Sequence, residues 1–174
     1  RLRYAGRFSG AAGRPVGGRP EIASRPARLR LPPQNLTTYQ KVAGMGITSS
    51  VDERGIAEVV MDNPPVNALT VAGWFDLAHI VRSLGEDQAV RVVVLRAEGR
   101  GFNAGVDIKE MQATEGYQAL IGANRGCYEA FAAVYDCKVP VIAAVNGFCV
   151  GGGIGLIGNA DVIVAADDAT FGLP

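Results

Sequence analysis

The chain has 174 residues, 48% of them apolar and 20% charged, with 17 basic against 17 acidic side chains. That is the composition of one soluble globular domain, and no stretch approaches the roughly 18 consecutive apolar residues of a membrane span. The neutral total hides an asymmetry: residues 1–44 hold nine basic residues and the single acid Glu21, whereas residues 45–174 hold eight basic and sixteen acidic ones. Three cysteines, Cys127, Cys137 and Cys149, are odd in number and lack paired spacing, which argues for a reducing compartment, hence the cytoplasm, over a disulfide scaffold.

Residues 1–44 contain six Gly, five Pro and eight Arg and no sustained apolar period, so they are expected to be disordered: they cannot bury enough surface to offset ordering entropy. An Arg-rich, acid-poor start is compatible with a transit peptide or a basic arm for nucleic acid. The first residue is Arg1 and normally composed sequence begins at Met45, which favours upstream sequence read in frame ahead of a start at Met45. Few aromatics interleave with the arginines, so no nucleic-acid partner is expected.

Ile56, Val59 and Val60 read as a first strand that the Asp62-Asn63-Pro64-Pro65 stretch ends. Thr70 can cap a helix to about Leu84, with Trp74, Leu77, Ala78, Val81 and Leu84 on one stripe and Gly85 as its stop. Val92, Val93, Val94 and Leu95 form a run apolar on both faces, as in a buried parallel strand, and a loop over 99–107 follows. Leu120, Ile121, Asn124, Cys127, Phe131 and Val134 repeat at helical spacing. Residues 141–145 and 162–166 read as two further buried strands, separated by a glycine-dense turn and short helix over 147–158. Strands alternating with helices give an α/β fold.

The densest signal is Asn146-Gly147-Phe148-Cys149-Val150-Gly151-Gly152-Gly153, set between a strand and a helical stretch. Glycines there allow close approach of backbone to a ligand, and free N–H groups favour an oxyanion, although tight packing of the crossing explains the glycines equally well. Residues 153–158 also match GxGxxG, but the next strand follows too soon for a dinucleotide-binding unit. A second glycine-bearing loop, Arg100-Gly101-Phe102-Asn103-Ala104-Gly105-Val106-Asp107, follows another strand. Two such loops at the C-terminal ends of parallel strands converge on one crevice.

The segments Phe102-Asn103-Ala104-Gly105-Val106-Asp107-Ile108-Lys109-Glu110-Met111, Pro140-Val141-Ile142-Ala143-Ala144-Val145-Asn146-Gly147 and Asp167-Asp168-Ala169-Thr170-Phe171-Gly172-Leu173-Pro174 resemble the crotonase (enoyl-CoA hydratase/isomerase) family. The resemblance implies an incomplete ββα spiral over 45–174, the N-terminal part of a crotonase domain. It also implies a coenzyme A thioester as substrate, no cofactor besides, and a homo-trimer or hexamer at full length. By motif, the thioester carbonyl would be held by the N–H groups of Val106 and Gly152, while Asn67, Ala68, Leu69, Ala104, Asp107 and Ile108 would line the CoA path. Hydratases of the family place one glutamate where this chain has Gly155 and another after the Phe-Gly-x-Pro segment, at a position that would be residue 175. The chain as written is therefore expected to lack turnover. Val66-Asn67-Ala68, the Gly101-to-Asp107 stretch and Gly-Gly-Gly-Ile-Gly-Leu further resemble actinobacterial crotonases that open a steroid-derived ring by hydrolysis. Enoyl-CoA hydration or isomerisation, and a non-catalytic acyl-CoA-binding subunit, are the alternatives.

Other chemistry finds weaker support. His79, the one histidine, lies opposite the apolar stripe and reads as a solvent-face residue. Cys149 without a histidine base reads as packing, Asp161, Asp167 and Asp168 as turn residues, and nothing has metal-ligand spacing.

Overall fold

A computed structural model of the protein describes residues 46–173. The basic stretch 1–44, and the expectation of disorder there, lie outside the described residues. The described chain runs β1 (Ile47–Val51), β2 (Ile56–Met61), α1 (Val71–Glu86), β3 (Val92–Ala97), β4 (Gly101–Asn103), α2 (Ile108–Ala113), α3 (Gln118–Tyr135), β5 (Val141–Val145), β6 (Phe148–Val150), α4 (Gly152–Gly158), β7 (Val162–Ala165) and β8 (Thr170–Gly172). No helix among the described residues is long and apolar enough to cross a membrane.

The strands form a five-stranded sheet in the order β1-β2-β3-β5-β7 and a three-stranded sheet in the order β4-β6-β8. β1 pairs antiparallel with β2, and every other pairing is parallel. From β3 onward each strand of the larger sheet is followed at once by a short strand of the smaller one, so the chain winds along two sheets in step. That is the ββα spiral the resemblance implies, in an α/β fold. The sequence reading located neither β1 nor the smaller sheet. β1 shows only Ile47 and Val51 as apolar ends around Thr-Ser-Ser, and β4 and β6 are three-residue strands inside the glycine loops, too short for a period to register.

The core lies between the larger sheet and α1. β2 and β3 bury alternate residues fully and the intervening ones in part, so both faces of these strands are covered. Helix α1 starts where Thr70 Oγ1 accepts from Gly73 N at 3.1 Å, and it buries the expected stripe of Trp74, Leu77, Ala78, Val81 and Leu84. Gly85 does not stop it. The helix runs to Glu86, and a Cβ at Gly85 would lie 2.9 Å from Cys137 Sγ, so glycine there gives room to the end of α3.

Two expected faces are corrected. In α3 the buried residues are Ala119, Ala123, Gly126, Ala130, Ala133 and Val134, while Leu120, Ile121 and Asn124 are exposed. The helix packs against α1 through its small side chains, because only these allow the two axes to approach so closely. A Cβ at Gly126 would be 2.8 Å from Trp74 Cβ. β7, read as a buried strand, has all four residues exposed: it is the edge of its sheet beside β5, and no described element covers its faces.

Candidate active site

The two glycine-bearing loops meet. One follows β3 through β4, the other follows β5 through β6, and parallel pairing brings both to the same end of the sheets. A Cβ at Gly105 would stand 2.9 Å from Gly152 N, and one at Gly153 would stand 2.8 Å from Asn103 O. Gly105, at φ +88°, adopts a conformation that side-chain-bearing residues rarely take, so both its backbone angle and its neighbour require glycine.

The first loop is held by buried amides. Asn103, fully buried, donates from Nδ2 to Asn67 O at 2.7 Å and accepts at Oδ1 from Gly105 N at 2.7 Å. Asn67, at φ +54°, donates from Nδ2 to Glu98 O and Gly101 O, both at 2.8 Å, and accepts from Asn63 N at 2.7 Å. Leu69 N donates to Gly105 O and Asp107 N donates to Leu69 O, each at 2.9 Å, which places Leu69 beside Val106 as a short parallel bridge. Asp107 then caps α2, its Oδ1 accepting from Lys109 N at 2.8 Å and Glu110 N at 3.3 Å. Glu110 Oε2 reaches back to accept from Val71 N, the first N–H of α1, at 2.7 Å.

The second segment has one side-chain tether, Asn146 Nδ2 to Gly99 O at 3.1 Å; besides close packing it is held through its backbone, with β6 paired to β4 and β8, Gly151 N donating to Gly172 O at 3.1 Å and Gly147 O accepting from Thr170 N at 2.8 Å. A Cβ at Gly147, itself at φ +53°, would collide with the Arg100 carbonyl. Gly152 opens α4, so its N–H has no acceptor within the helix. Val106 N–H likewise has no acceptor among the described residues. Two backbone donors thus stand on adjoining loops, which is the chemistry needed to stabilise a developing oxyanion.

Of the residues expected along a CoA path, Ala104 lies close to Gly151, whose Cβ would be 3.7 Å from Ala104 O, and Ile108 is exposed. Asn67 and Leu69 are buried: the Asn67 side chain is taken up by loop hydrogen bonds, and Leu69 sits in the core. A shallow cavity of about 350 Å³ opens beside Asn67, between Pro64, Pro65, Glu98 and Arg100. A larger depression of about 470 Å³ runs over Ile121, Asn124, Arg125 and Tyr128 on the outer side of α3 and touches neither loop.

Gly155, the position of a hydratase glutamate by resemblance, is closed by Phe131: a Cβ there would lie 2.5 Å from Cζ of the ring. Trp74 is fully buried beside Gly152, and its Nε1 has no hydrogen-bond acceptor among the described residues. No local sequence signal ties Asn103, Glu110, Trp74 or Phe131 to the site. Asn103 lies inside the quoted loop motif, but its role depends on Asn67, which is remote in the chain. The plainer readings of other side chains agree with their surroundings. His79 is exposed, and Asp161 joins β5 to the turn before β7, its Oδ2 accepting from Val141 N at 2.8 Å. Burial pushes the thiols of Cys149 and Cys127 up to about 11, away from nucleophilic use at neutral pH. No cluster of three metal-ligating side chains occurs among the described residues.

Residues 52–174 match the sequence model of the family described as Enoyl-CoA hydratase/isomerase. A relative from Rhodococcus jostii (strain RHA1), named (7aS)-7a-methyl-1,5-dioxo-2,3,5,6,7,7a-hexahydro-1H-indene-carboxyl-CoA hydrolase, is 71% identical over 130 residues, covering 75% of this chain and 50% of its own. The protein of the same name from Mycobacterium tuberculosis (strain ATCC 25618 / H37Rv) is 69% identical over 130 residues, covering 75% of this chain and 53% of its own. Among solved structures, an enoyl-CoA hydratase/carnithine racemase from Magnetospirillum magneticum superposes with a TM-score of 0.69 at 32% identity, over 76% of this chain and 50% of that one. The chain spans about half the length of the curated relatives it matches.

Proposed function

From a chain that belongs to the enoyl-CoA hydratase/isomerase family, we propose a CoA-thioester hydrolase that opens a carbocyclic ring in steroid catabolism. The observation that carries the reading is the contact of Gly105 with Gly152, which puts the free N–H groups of Val106 and Gly152 on adjoining loops. The 71% and 69% identity to two hexahydroindene-carboxyl-CoA hydrolases supports the choice of substrate class.

In this mechanism water adds to a ring ketone that is β to the thioester carbonyl. The bond between the ketone carbon and the thioester α-carbon then breaks. Its electron pair enters the thioester as an enolate, whose oxygen accepts hydrogen bonds from Val106 N and Gly152 N. Protonation of the α-carbon completes the step and leaves a carboxylic acid on the opened ring, with the thioester intact. Each donor of such a pair contributes roughly 2.7–4 kcal/mol of transition-state stabilisation. Neither donor brings a titratable side chain, and position 155 has none, so activation of water and protonation of carbon fall to other groups. By the same reading Ala104, Asp107, Ile108 and the turn at Asn67-Ala68-Leu69 border the CoA moiety, and the full-length protein assembles as a homo-trimer or hexamer.

The full-length protein, bound to a non-reactive CoA thioester, should hold the carbonyl oxygen about 2.7–3.1 Å from both nitrogens. It should also open a cyclic β-keto CoA thioester much faster than it hydrates crotonyl-CoA. Rapid crotonyl-CoA hydration without ring opening would make it a hydratase instead. Sedimentation of the same sample reads the assembly.

A further inference from the structure

Phe131 stands end-on over Gly155. A Cβ at Gly155 would meet its ring at Cζ (2.5 Å), Cε2 (2.6 Å) and Cε1 (3.2 Å). The ring has little room to swing away, because it meets Trp74 edge to face, with centroids 5.8 Å apart and planes at 85°. Trp74 in turn is fully buried, and its Cζ2 and Cη2 would lie 3.0 and 3.2 Å from a Cβ at Gly152. Gly152 and Gly155 are three residues apart on α4 and so share a face. The two aromatic rings cover that face, and the neighbouring Cys127 and Ile154 are partly buried apolar side chains packed on the core.

We propose that Phe131 is a specificity-determining residue of this site. Its ring takes the room that a side chain at 155 would have and offers the acyl group an apolar surface, favouring a compact carbocyclic acyl group over a linear chain. The inference rests on the reading that Gly152 N–H receives the thioester oxygen. Positions three apart on a helix are about 5–6 Å from one another, so acyl carbons attached to that carbonyl pass beside Gly155 within a few bonds. A carbocycle lays a broad apolar face on the Phe131 ring, whereas a linear chain offers only an edge. The same ring also bars any acidic side chain from position 155, which closes one route to water addition.

The test is calorimetric titration of the full-length protein and its F131A, F131L, G155A and F131A/G155A variants with cyclohexanecarbonyl-CoA and hexanoyl-CoA. The wild type should prefer the cyclic thioester. F131A should shift the ratio of the two Kd values at least tenfold toward the linear one, and F131L less. G155A should also erode the preference, because its methyl meets the held ring and forces α4 and the ring out of register, and adding it to F131A should have little further effect. F131L, which keeps most of the volume, preserves the test if F131A folds poorly. A ratio unchanged within twofold in both Phe131 variants, or equal weakening of both ligands, would overturn the proposal and leave Phe131 a packing residue. If the preference behaves as expected but the wild type opens no cyclic β-keto thioester, the proposed reaction fails and the assignment of Phe131 stands. Binding of neither thioester by the wild type sinks both.

Discussion

In the loop 101–107 the backbone is pinned by two buried asparagines, Asn67 and Asn103, whose amides make three hydrogen bonds to or from its residues. In the segment 146–153, whose backbone pairs with β4 and β8, the side-chain share of that task falls to glycine: Gly147 lies against Arg100 and Gly153 against Asn103, with Asn146 as the one side-chain tether. Each carries a backbone N–H without an acceptor among the described residues, that of Val106 and that of Gly152. One is specified by attraction, so its errors are unpaired polar groups; the other is specified by exclusion, so its errors are collisions. The first should fail by losing stability, the second by losing geometry.

The largest break in that contrast comes from Gly105→Ala, since Gly105 belongs to the first loop yet touches the second. Its methyl would sit 2.9 Å from Gly152 N, the donor proposed for the thioester oxygen. In the full-length protein kcat/KM should fall by about 10²–10³, the effect of losing one oxyanion donor. Gly99→Ala is the matched control, with a similar φ of +80° but nothing within 4 Å of the new methyl. It should cost roughly 1–2 kcal/mol of stability and leave kcat near wild type. Equal loss of activity in both would show that backbone strain, and not obstruction of the donor, is being read.

Next in size is Asn103→Ala, which leaves Gly105 N–H and Asn67 O buried without their partner. Each such orphan costs roughly 1–3 kcal/mol, and in a protein of 150–250 residues each kcal/mol lowers Tm by about 2–4 °C. A melting curve within 1 °C of wild type, an order-of-magnitude bound from the same relation, would mean the amide staple carries no weight.

A region remote from both loops sharpens the comparison. The turn between β1 and β2 precedes β2, so it lies at the opposite end of the sheet from the glycine loops. There Asp52 accepts from Ile56 N and Arg54 N, both at 2.9 Å, and from Arg54 Nε at 2.8 Å; the Ile56 bond foremost, then Arg54, holds its carboxyl below the usual range. A carboxyl whose folded pKa is depressed contributes stability above the unfolded value, about 3.9, and loses it as pH falls through the folded value. Asp52→Asn should therefore lower the denaturant midpoint at pH 7, match wild type in strong acid, and leave kcat unchanged. A constant difference at every pH would exclude the charge as its source.

The smallest expected effect is none. Cys149 is buried in the second segment with its thiol pushed up to about 11 by desolvation, so at pH 8 iodoacetamide should not label it in the native protein. Rapid labelling found by peptide mass spectrometry would show that 146–153 opens often and that close packing of its glycines does not hold it shut.

What could be read in the sequence divides along the same line. Gly147, Gly151, Gly152 and Gly153 are visible as a string, and exclusion by glycine leaves a local mark. The amide network does not, because Asn67 and Asn103 are 36 residues apart and each looks like an ordinary loop residue alone. The stripe of α1 was legible because large side chains at 3.6-residue spacing point to one core. In α3 the same rule misled, since the face against α1 is made of Ala and Gly and the large residues Leu120 and Ile121 face outward. β7 reads as buried from Val162, Ile163 and Val164, and among the described residues it stands exposed at the end of its sheet.

Helix α2 contributes no buried residue to the molecule, although it begins two residues after Val106. Apart from its own turns and a small contact with α3, it is attached by the Asp107 cap and the reach of Glu110 to Val71 N. An element with no fully buried side chain opens at a free energy set largely by a few solvent-competed hydrogen bonds, far below the global unfolding value. Its amides should therefore exchange with deuterium well before those of α1, while Leu69 and Gly105 keep theirs. Early exchange in α2 with protection kept at Leu69 and Gly105 would mark the segment beside Val106 as one that melts and re-forms without disturbing the strands beneath.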